Sequence, residues 1–306
     1  MKVTLLAGGV GGAKLAHGFQ QVLPPGALTV VVNVADDLEL HGLRICPDLD
    51  TVLYTLAGLA NSETGWGVRG DTWTALTMLE RYGAETWFRL GDADLATHVH
   101  RTRLLREGSS LTDAIRSMAA ALGVPSTILP ATDHEVRTLI GTDDGELDFQ
   151  TYFVRRQQRD EVRGVRFAGI ADARPTDEVL EAVRTANLVV IAPSNPIVSI
   201  GPILAMSDMR EAVRRTAAPR IAVSPIVAGK ALRGPADRML ASLGHESSAL
   251  GVARLYEGVA DRFVIDEMDA ALAPQIEALG MTVHVLPTVM KSDADRADLA
   301  RAILRS

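Results

Sequence analysis

The chain has 306 residues, 47% of them hydrophobic and 23% charged, and 31 basic against 38 acidic side chains give a formal net charge of −7. At about 150 residues per domain this length suits one large domain or two ordinary ones, with core enough to fold without disulfides or a metal staple. No block of like charge favours nucleic acid, and the single cysteine, Cys46, excludes an internal disulfide and any multi-cysteine zinc site. No run approaches the roughly 20 apolar residues of a membrane span, and the start, Met1 to Ala7, reaches glycine too early for a signal-peptide core. A cytoplasmic enzyme is expected.

Val3 to Ala7 reads as a buried parallel strand, followed by glycines. Ala13 to Val22 has helical spacing through Leu15, Phe19 and Val22 and stops at Pro24-Pro25; Leu28 to Val34 is a second buried strand. These pieces make a right-handed βαβ unit at the start of a Rossmann-like, doubly wound parallel sheet. Asp50 to Leu59, Thr72 to Arg81 and Leu111 to Leu122 read as helices, the last with Ser110 as its N-cap.

The period then changes. Glu135 to Gly141 and Glu146 to Val154 flank an Asp144-Gly145 hairpin signal, and Val162 to Ile170 adds a third strand. Residues 130–175 are therefore read as a small β-rich insertion in one 306-residue α/β domain. The α/β rhythm resumes with helices at Pro175 to Thr185, Met206 to Ala217, Gly234 to Leu243, Ser247 to Tyr256 and Ser292 to Leu304. Strands are expected at Asn187 to Ala192, Arg220 to Val223, Arg262 to Ile265 and Thr282 to Leu286.

Five places can carry chemistry. Gly8, Gly9, Gly11 and Gly12, with Lys14, lie between the first strand and helix, where backbone amides and a helix N-terminus suit a phosphate. The segment is no P-loop, since Ala13-Lys14-Leu15 lacks the required glycine and hydroxyl. Asp36 and Asp37 follow the second strand, at the ligand edge of such sheets, and suit Mg²⁺, a ribose hydroxyl or a plain turn. Asp48 and Asp50 can meet one hard cation, or Asp50 can simply cap a helix; Cys46 beside them reads as a buried hydrophobe.

Arg89, Asp92, Asp94 and His98 share a stretch with Trp66, Trp73 and Trp87, whose rings suit a flat ligand. Ser194, Asn195 and Pro196 leave one strand and Ser224-Pro225 another. Asn195 suits a purine edge or phosphate, or merely a turn, and Lys230 and Arg233 are possible anion contacts.

Gly8 to Lys14, Val32 to Asp37, Cys46 to Thr51, Leu90 to His98 and Ala192 to Pro196, in that order, resemble the 2-phospho-L-lactate transferase family (CofD in archaea, FbiA in actinobacteria) of coenzyme F-420 biosynthesis. Gly65 to Gly67, Leu129 to Asp133 and Val223 to Ile226 fit it as well, so the resemblance spans the chain. It implies that the ribityl hydroxyl of the deazaflavin Fo attacks a phosphate of a guanosine diphosphate donor carrying phospholactate or phosphoenolpyruvate, with Mg²⁺ present and GMP leaving. It implies that Asp50 and Arg89 hold Fo and that Asp50 is catalytic. The glycine loop, Lys14 and Ser194 to Pro196 take the nucleotide, and Asp36, Asp48 and Asp50 are the metal candidates. The resemblance further implies a homodimer, with Val259 to Ile265 or the insertion as pairing surface. Two rivals are a non-catalytic nucleotide-sugar-binding regulator of the same superfamily and an NAD(P)-dependent oxidoreductase.

Overall fold

Seven short runs dominated by Val, Ile and Leu line up in one parallel sheet in the computed structural model, which describes residues 1–306. They are β1 (Val3–Ala7), β2 (Leu28–Val32), β3 (Thr127–Pro130), β4 (Leu188–Ile191), β5 (Arg220–Val223), β6 (Arg262–Ile265) and β7 (Thr282–Val285). Their spatial order is β3-β2-β1-β4-β5-β6-β7, with every pair parallel. This is the doubly wound arrangement, and its switch point, where successive strands begin to be added on the opposite side, lies between β1 and β4.

Alternate side chains feed two cores. Leu6, Val31, Leu129, Val189 and Phe263 pack on one face, and Leu5, Val30, Ile128, Val190 and Val264 on the other. A strand buried on both faces needs apolar residues throughout, which is why these runs show no alternation in sequence. The helices that concern the site are α1 (Gly9–Val22), α2 (Pro47–Leu56), α3 (Thr74–Arg81), α4 (Asp92–Arg106) and α5 (Leu111–Ala121). Ser110 caps α5 through the Asp113 amide, as expected.

The insertion between β3 and β4 carries a three-stranded antiparallel sheet of Arg137–Thr142, Gly145–Asp148 and Gly164–Ala168, with Thr142 opposite Gly145 at the turn. The expected strand Glu146 to Val154 stops at Asp148, and Thr151–Arg155 forms a π-helical turn instead. Here helical spacing wins over strand spacing. Phe149 and Phe153 stack at 5.4 Å, and Phe149 meets Tyr152 at 6.5 Å. Their small core includes Val198 and Met239, so the insertion sits over the exits of β4 and β5.

Among the elements that escape the sequence reading are β3 itself, the helix α4 and a hairpin of Leu38–Leu40 with Leu43–Ile45. The hairpin turns on His41 and Gly42, both at positive φ (54 and 70), as a two-residue turn requires. Val259 to Ile265 is no free pairing surface, because Val259 and Phe263 to Ile265 are buried in the core.

Candidate active site

The glycine turn leaving β1 and the turn leaving β4 interlock at the switch point. Gly8 donates its amide to Ser194 Oγ at 3.1 Å, and that hydroxyl donates to the Gly8 carbonyl at 2.7 Å. A Cβ on Gly11 would stand 2.3 Å from the Pro193 carbonyl oxygen, and one on Gly12 2.7 Å from Ser194 Oγ. Gly9 has φ +62, a conformation costly for other residues. The surplus of glycines that suggested a phosphate site thus has a packing cause as well: only bare backbone lets the two strand exits approach.

The side chains expected to take the nucleotide are mostly engaged. Asn195 Oδ1 accepts the amides of Ile197 (2.9 Å) and Val198 (3.4 Å), so it shapes the turn that contains Pro196. Lys14 donates to the Met290 carbonyl at 2.9 Å. Its pKa is lowered by partial burial and by the nearby Arg296 and Arg233. Arg233 donates to the carbonyls of Thr64 and Glu63, tying the loop after α2 to the exit of β5.

Four carboxylates collect beside this crevice. Asp48, in the first turn of α2, accepts the Gly9 amide at 2.8 Å and the Asn33 amide group at 3.0 Å. Burial outweighs both bonds and pushes its carboxyl up to about 6. Asp36 is buried, with Oδ1 unpartnered, and burial followed by the charge of Asp48 raises it well above the usual carboxylate range. Asp37 pairs with Arg44 at 3.0 Å, yet its Oδ1 is also unpartnered and burial raises it to about 6. The Cys46 thiol is pushed up by burial as well, so no thiolate is available here.

Asp50, two residues on from Asp48, lies against a different partner. Both its oxygens face the guanidinium of Arg101, at 2.5 and 3.0 Å. No three His, Cys, Asp or Glu side chains converge on a metal-sized point. Asp36, Asp48 and Asp50 therefore do not close into a three-carboxylate cage, and both oxygens of Asp50 are turned to Arg101. Mg²⁺ suits this donor set nonetheless: it is commonly held by one or two carboxylates, with water and substrate phosphate filling the remaining positions. The unpartnered buried oxygens of Asp36 and Asp37 are hard donors of that kind.

A cleft of about 380 Å³ opens next to α4, lined by Asn61, Trp66, Asp71, Trp73, Gly91 and Asp94 among others. The exposed Arg89 places its guanidinium 4.5 Å from the centre of the Trp73 ring. Trp87 is elsewhere, edge-on to Phe88 at 5.8 Å. Asp71 accepts the amides of Ala93 (2.8 Å) and Asp94 (3.0 Å), and Asp92 accepts those of Thr74 (3.1 Å) and Ala75 (2.8 Å). Each acid thereby caps the other's helix. A further cleft of about 420 Å³ lies at the opposite, amino-terminal edge of β1, β2 and β3, away from the crevice.

Sequence reasoning missed Arg101, Tyr54 and Gln150. Gln150 donates to the Asp36 carbonyl at 3.1 Å and ties the insertion to the acidic cluster. The signal for Arg101 was present: Asp94, His98 and Arg101 recur at i, i+4 and i+7 on one face of α4.

A doubly wound parallel sheet with a cluster of buried carboxylates at its switch point and an aromatic cleft linked to it through Tyr54 and Asp94 fits an α/β enzyme acting on small molecules. The chain belongs to the CofD family, whose model, described as 2-phospho-L-lactate transferase CofD, matches residues 3–292. It is 40% identical over 310 residues to a phosphoenolpyruvate transferase of Streptomyces griseus, covering 99% of this chain and 98% of the relative. It is 37% identical over 302 residues to a 2-phospho-L-lactate transferase of Methanosarcina mazei, covering 99% of each. The fold resembles that of a UPF0052 family protein from Bacillus halodurans, with a TM-score of 0.64 at 18% identity over 99% of this chain and 98% of that one. The protein is a transferase, and no helix is long and apolar enough to cross a membrane.

Proposed function

We propose that the protein moves a phospholactyl or phosphoenolpyruvyl group from a guanosine diphosphate donor to the ribityl hydroxyl of Fo (7,8-didemethyl-8-hydroxy-5-deazariboflavin), giving F-420-0 or dehydro-F-420-0 and GMP. The observation that carries this reading is the adjacency of two unlike sites. An aromatic cleft lined by Trp66, Trp73 and Asp94 is tied by the Tyr54–Asp94 hydrogen bond to α2, the helix whose first turn carries Asp48 and Asp50 beside the glycine turn. The names of the relatives support the same group transfer.

In this reading the deazaflavin ring lies in the cleft, with Arg89 at its polar edge, and the ribityl chain runs toward Asp50. The start of α1, where Ser194 and Asp48 already take the amides of Gly8 and Gly9, presents those of Val10 to Gly12 and the positive end of a helix dipole to the diphosphate. Lys14 adds charge nearby, and Ser194, Asn195 and Pro196 shape the wall for the nucleotide. Asp50 accepts the hydrogen of the ribityl hydroxyl, since a carboxylate in a bidentate pair retains a further lone pair on each oxygen. The hydroxyl oxygen forms the new P–O bond, the bond from phosphorus to the GMP oxygen breaks, and the proton passes to Asp50. Mg²⁺ held by Asp36 and Asp48, with Asp50 close by, would neutralise charge on the phosphate oxygens, which is most of what phosphoryl transfer needs. The active assembly in this reading is a homodimer in the cytoplasm.

Fluorescence titration with Fo in the presence of GDP and Mg²⁺, on wild type and Asp50→Asn, tests the proposal. Saturable binding that weakens in the variant is expected. No binding by the wild type at any accessible concentration would sink it.

A further inference from the structure

The side chains behind Asp50 form a chain of polar contacts between α2 and α4. Arg101 has no exposed surface. It donates from Nη1 to Asp50 Oδ1 at 2.5 Å and from Nη2 to Asp50 Oδ2 at 3.0 Å. Its Nε and Nη2 also reach the Arg44 carbonyl at 3.2 and 3.0 Å, and Nη2 lies 2.7 Å from His98 Nδ1. A guanidinium can only donate, so His98 Nδ1 faces Arg101 as an acceptor, sharing the two Nη2 hydrogens with Asp50 and the Arg44 carbonyl and lying 3.6 Å from Asp50 Oδ2. His98 Nε2 faces Asp94 Oδ1 at 3.3 Å, without the alignment of a full hydrogen bond. Asp94 Oδ1 accepts the Tyr54 hydroxyl at 2.7 Å, and Tyr54 stands one helical turn beyond Asp50 on α2.

A buried ion pair is a poor way to hold two helices together, because apolar side chains of the same volume usually do it as well or better. What the fork does supply is direction. Two parallel N–H bonds fix the plane of a carboxylate, and the extra contacts to Arg44 and His98 stop the guanidinium from rotating. The other end of these contacts, Asp94, lines the tryptophan cleft.

We infer that Arg101 and His98 are positioning residues: they fix the Asp50 carboxylate and register it against the wall of the cleft where the acceptor lies. The inference rests on the reading that Asp50 serves the acceptor hydroxyl. Groups that orient a reacting residue in this way typically change activity by about 10–100-fold when removed.

The test compares two polar substitutions of the same buried side chain. His98→Asn keeps an acceptor where Nδ1 stands, toward Arg101; His98→Gln keeps a donor where Nε2 stands, toward Asp94, and loses the acceptor. With thermal unfolding checked for both, His98→Asn is expected to hold kcat within about threefold of wild type. His98→Gln is expected to lose about 10–100-fold in kcat, with KM for the guanosine diphosphate donor unchanged. Equal kcat in the two variants, whether both keep it or both lose it, overturns the inference. If His98→Gln does not fold, Arg101→Lys replaces it, keeping the charge without the fork; wild-type kcat there overturns the inference too. A wild-type protein without Fo-dependent turnover counts against the proposed function instead, so the two failures are distinguishable.

Discussion

The backbone amide of Gly9 and the carboxylate of Asp48, 39 residues apart, meet at 2.8 Å and join the first strand exit to the first turn of α2. A carboxylate at a helix N-terminus is ordinarily a comfortable anion. Here it is so deeply buried, and so close to Asp36, that the crevice holds more negative charge than it can easily solvate. In the proposed function Mg²⁺ would offset that charge.

That frustration has a pH signature. Asp48 titrates near 6 in the folded chain and near 3.8 when unfolded, so the folded state holds a proton that the unfolded state has released. The resulting stabilisation is complete below about pH 4 and is lost as pH rises through 6. Without divalent metal, wild type is expected to lose more stability between pH 4.5 and 7 than Asp48→Asn does. The difference is on the order of 2 kcal/mol. Urea unfolding at the two pH values measures it, and parallel profiles for the two proteins would contradict it.

Divalent metal should reverse the effect at neutral pH. Mg²⁺ is expected to raise the thermal midpoint of wild type at pH 7 and to do so less in Asp36→Asn, which removes one negative charge from the cluster. Excess EDTA should abolish turnover and added Mg²⁺ restore it. Undiminished turnover in EDTA would exclude the metal.

Substituting Asp50 separates chemistry from stability. Asp50→Ala strands the buried Arg101 charge and should cost about 3–5 kcal/mol of stability as well as turnover. Asp50→Asn retains one acceptor for the guanidinium and is expected to fold better while losing turnover by orders of magnitude. Thermal melts and single-turnover rates on both proteins settle it; near-normal turnover in Asp50→Asn would remove the assigned role.

Arg89 lies on the surface, and its cation–π contact with Trp73 contributes only about 0.5–1 kcal/mol at such a site. Arg89→Ala should therefore leave the melting temperature nearly unchanged and weaken Fo binding. An unaltered dissociation constant in the fluorescence titration would rule that contact out.

Gly11→Ala addresses the interlocked turns. The added methyl would meet the Pro193 carbonyl at 2.3 Å, so one of the two backbones must shift. A loss of about 1–3 kcal/mol is expected in denaturant unfolding, together with weaker binding of GDP. Wild-type stability would show that the strand exits can separate without cost.

Much of this molecule could be read from its sequence. β1, β5 and β6 are found at their expected residues, because short apolar runs bounded by Gly, Pro or Ser have few other uses. Ser110 caps its helix as anticipated, its hydroxyl accepting the Asp113 amide, whereas Ser292, read as the first residue of the last helix, is its N-cap in a full capping box with Asp295. β3 was missed because Thr127–Pro130 offers only two consecutive apolar residues, Ile128 and Leu129, before a proline, and becomes a strand by pairing with β2. Helix boundaries near glycine moved too: α1 begins at Gly9, inside the turn that was set apart from it.

The site was legible in part. The acids at 36, 37, 48 and 50 do gather at the switch-point edge, but their partners were invisible. A buried arginine looks like any solvated arginine until the fold places Asp50 opposite it. The glycines were ambiguous for a related reason, as a close approach to backbone and a close approach to phosphate demand the same residue. Ser194 and Asn195 stand where they were expected, with their side chains committed to the turn.

The reciprocal caps of Asp71 and Asp92 bear on how the cleft breathes. α3 has eight residues and buries none of them, so alone in water it would not persist. It is ordered because the start of α4 supplies its cap, while its own lead-in caps α4 in return. Neither helix start can fray without releasing the other. Amide exchange in the two first turns should therefore follow one common opening event, with matched protection factors. Trp73 and the linked Asp94, His98 and Arg101 would be ordered and lost together, as one cooperative unit smaller than the whole fold.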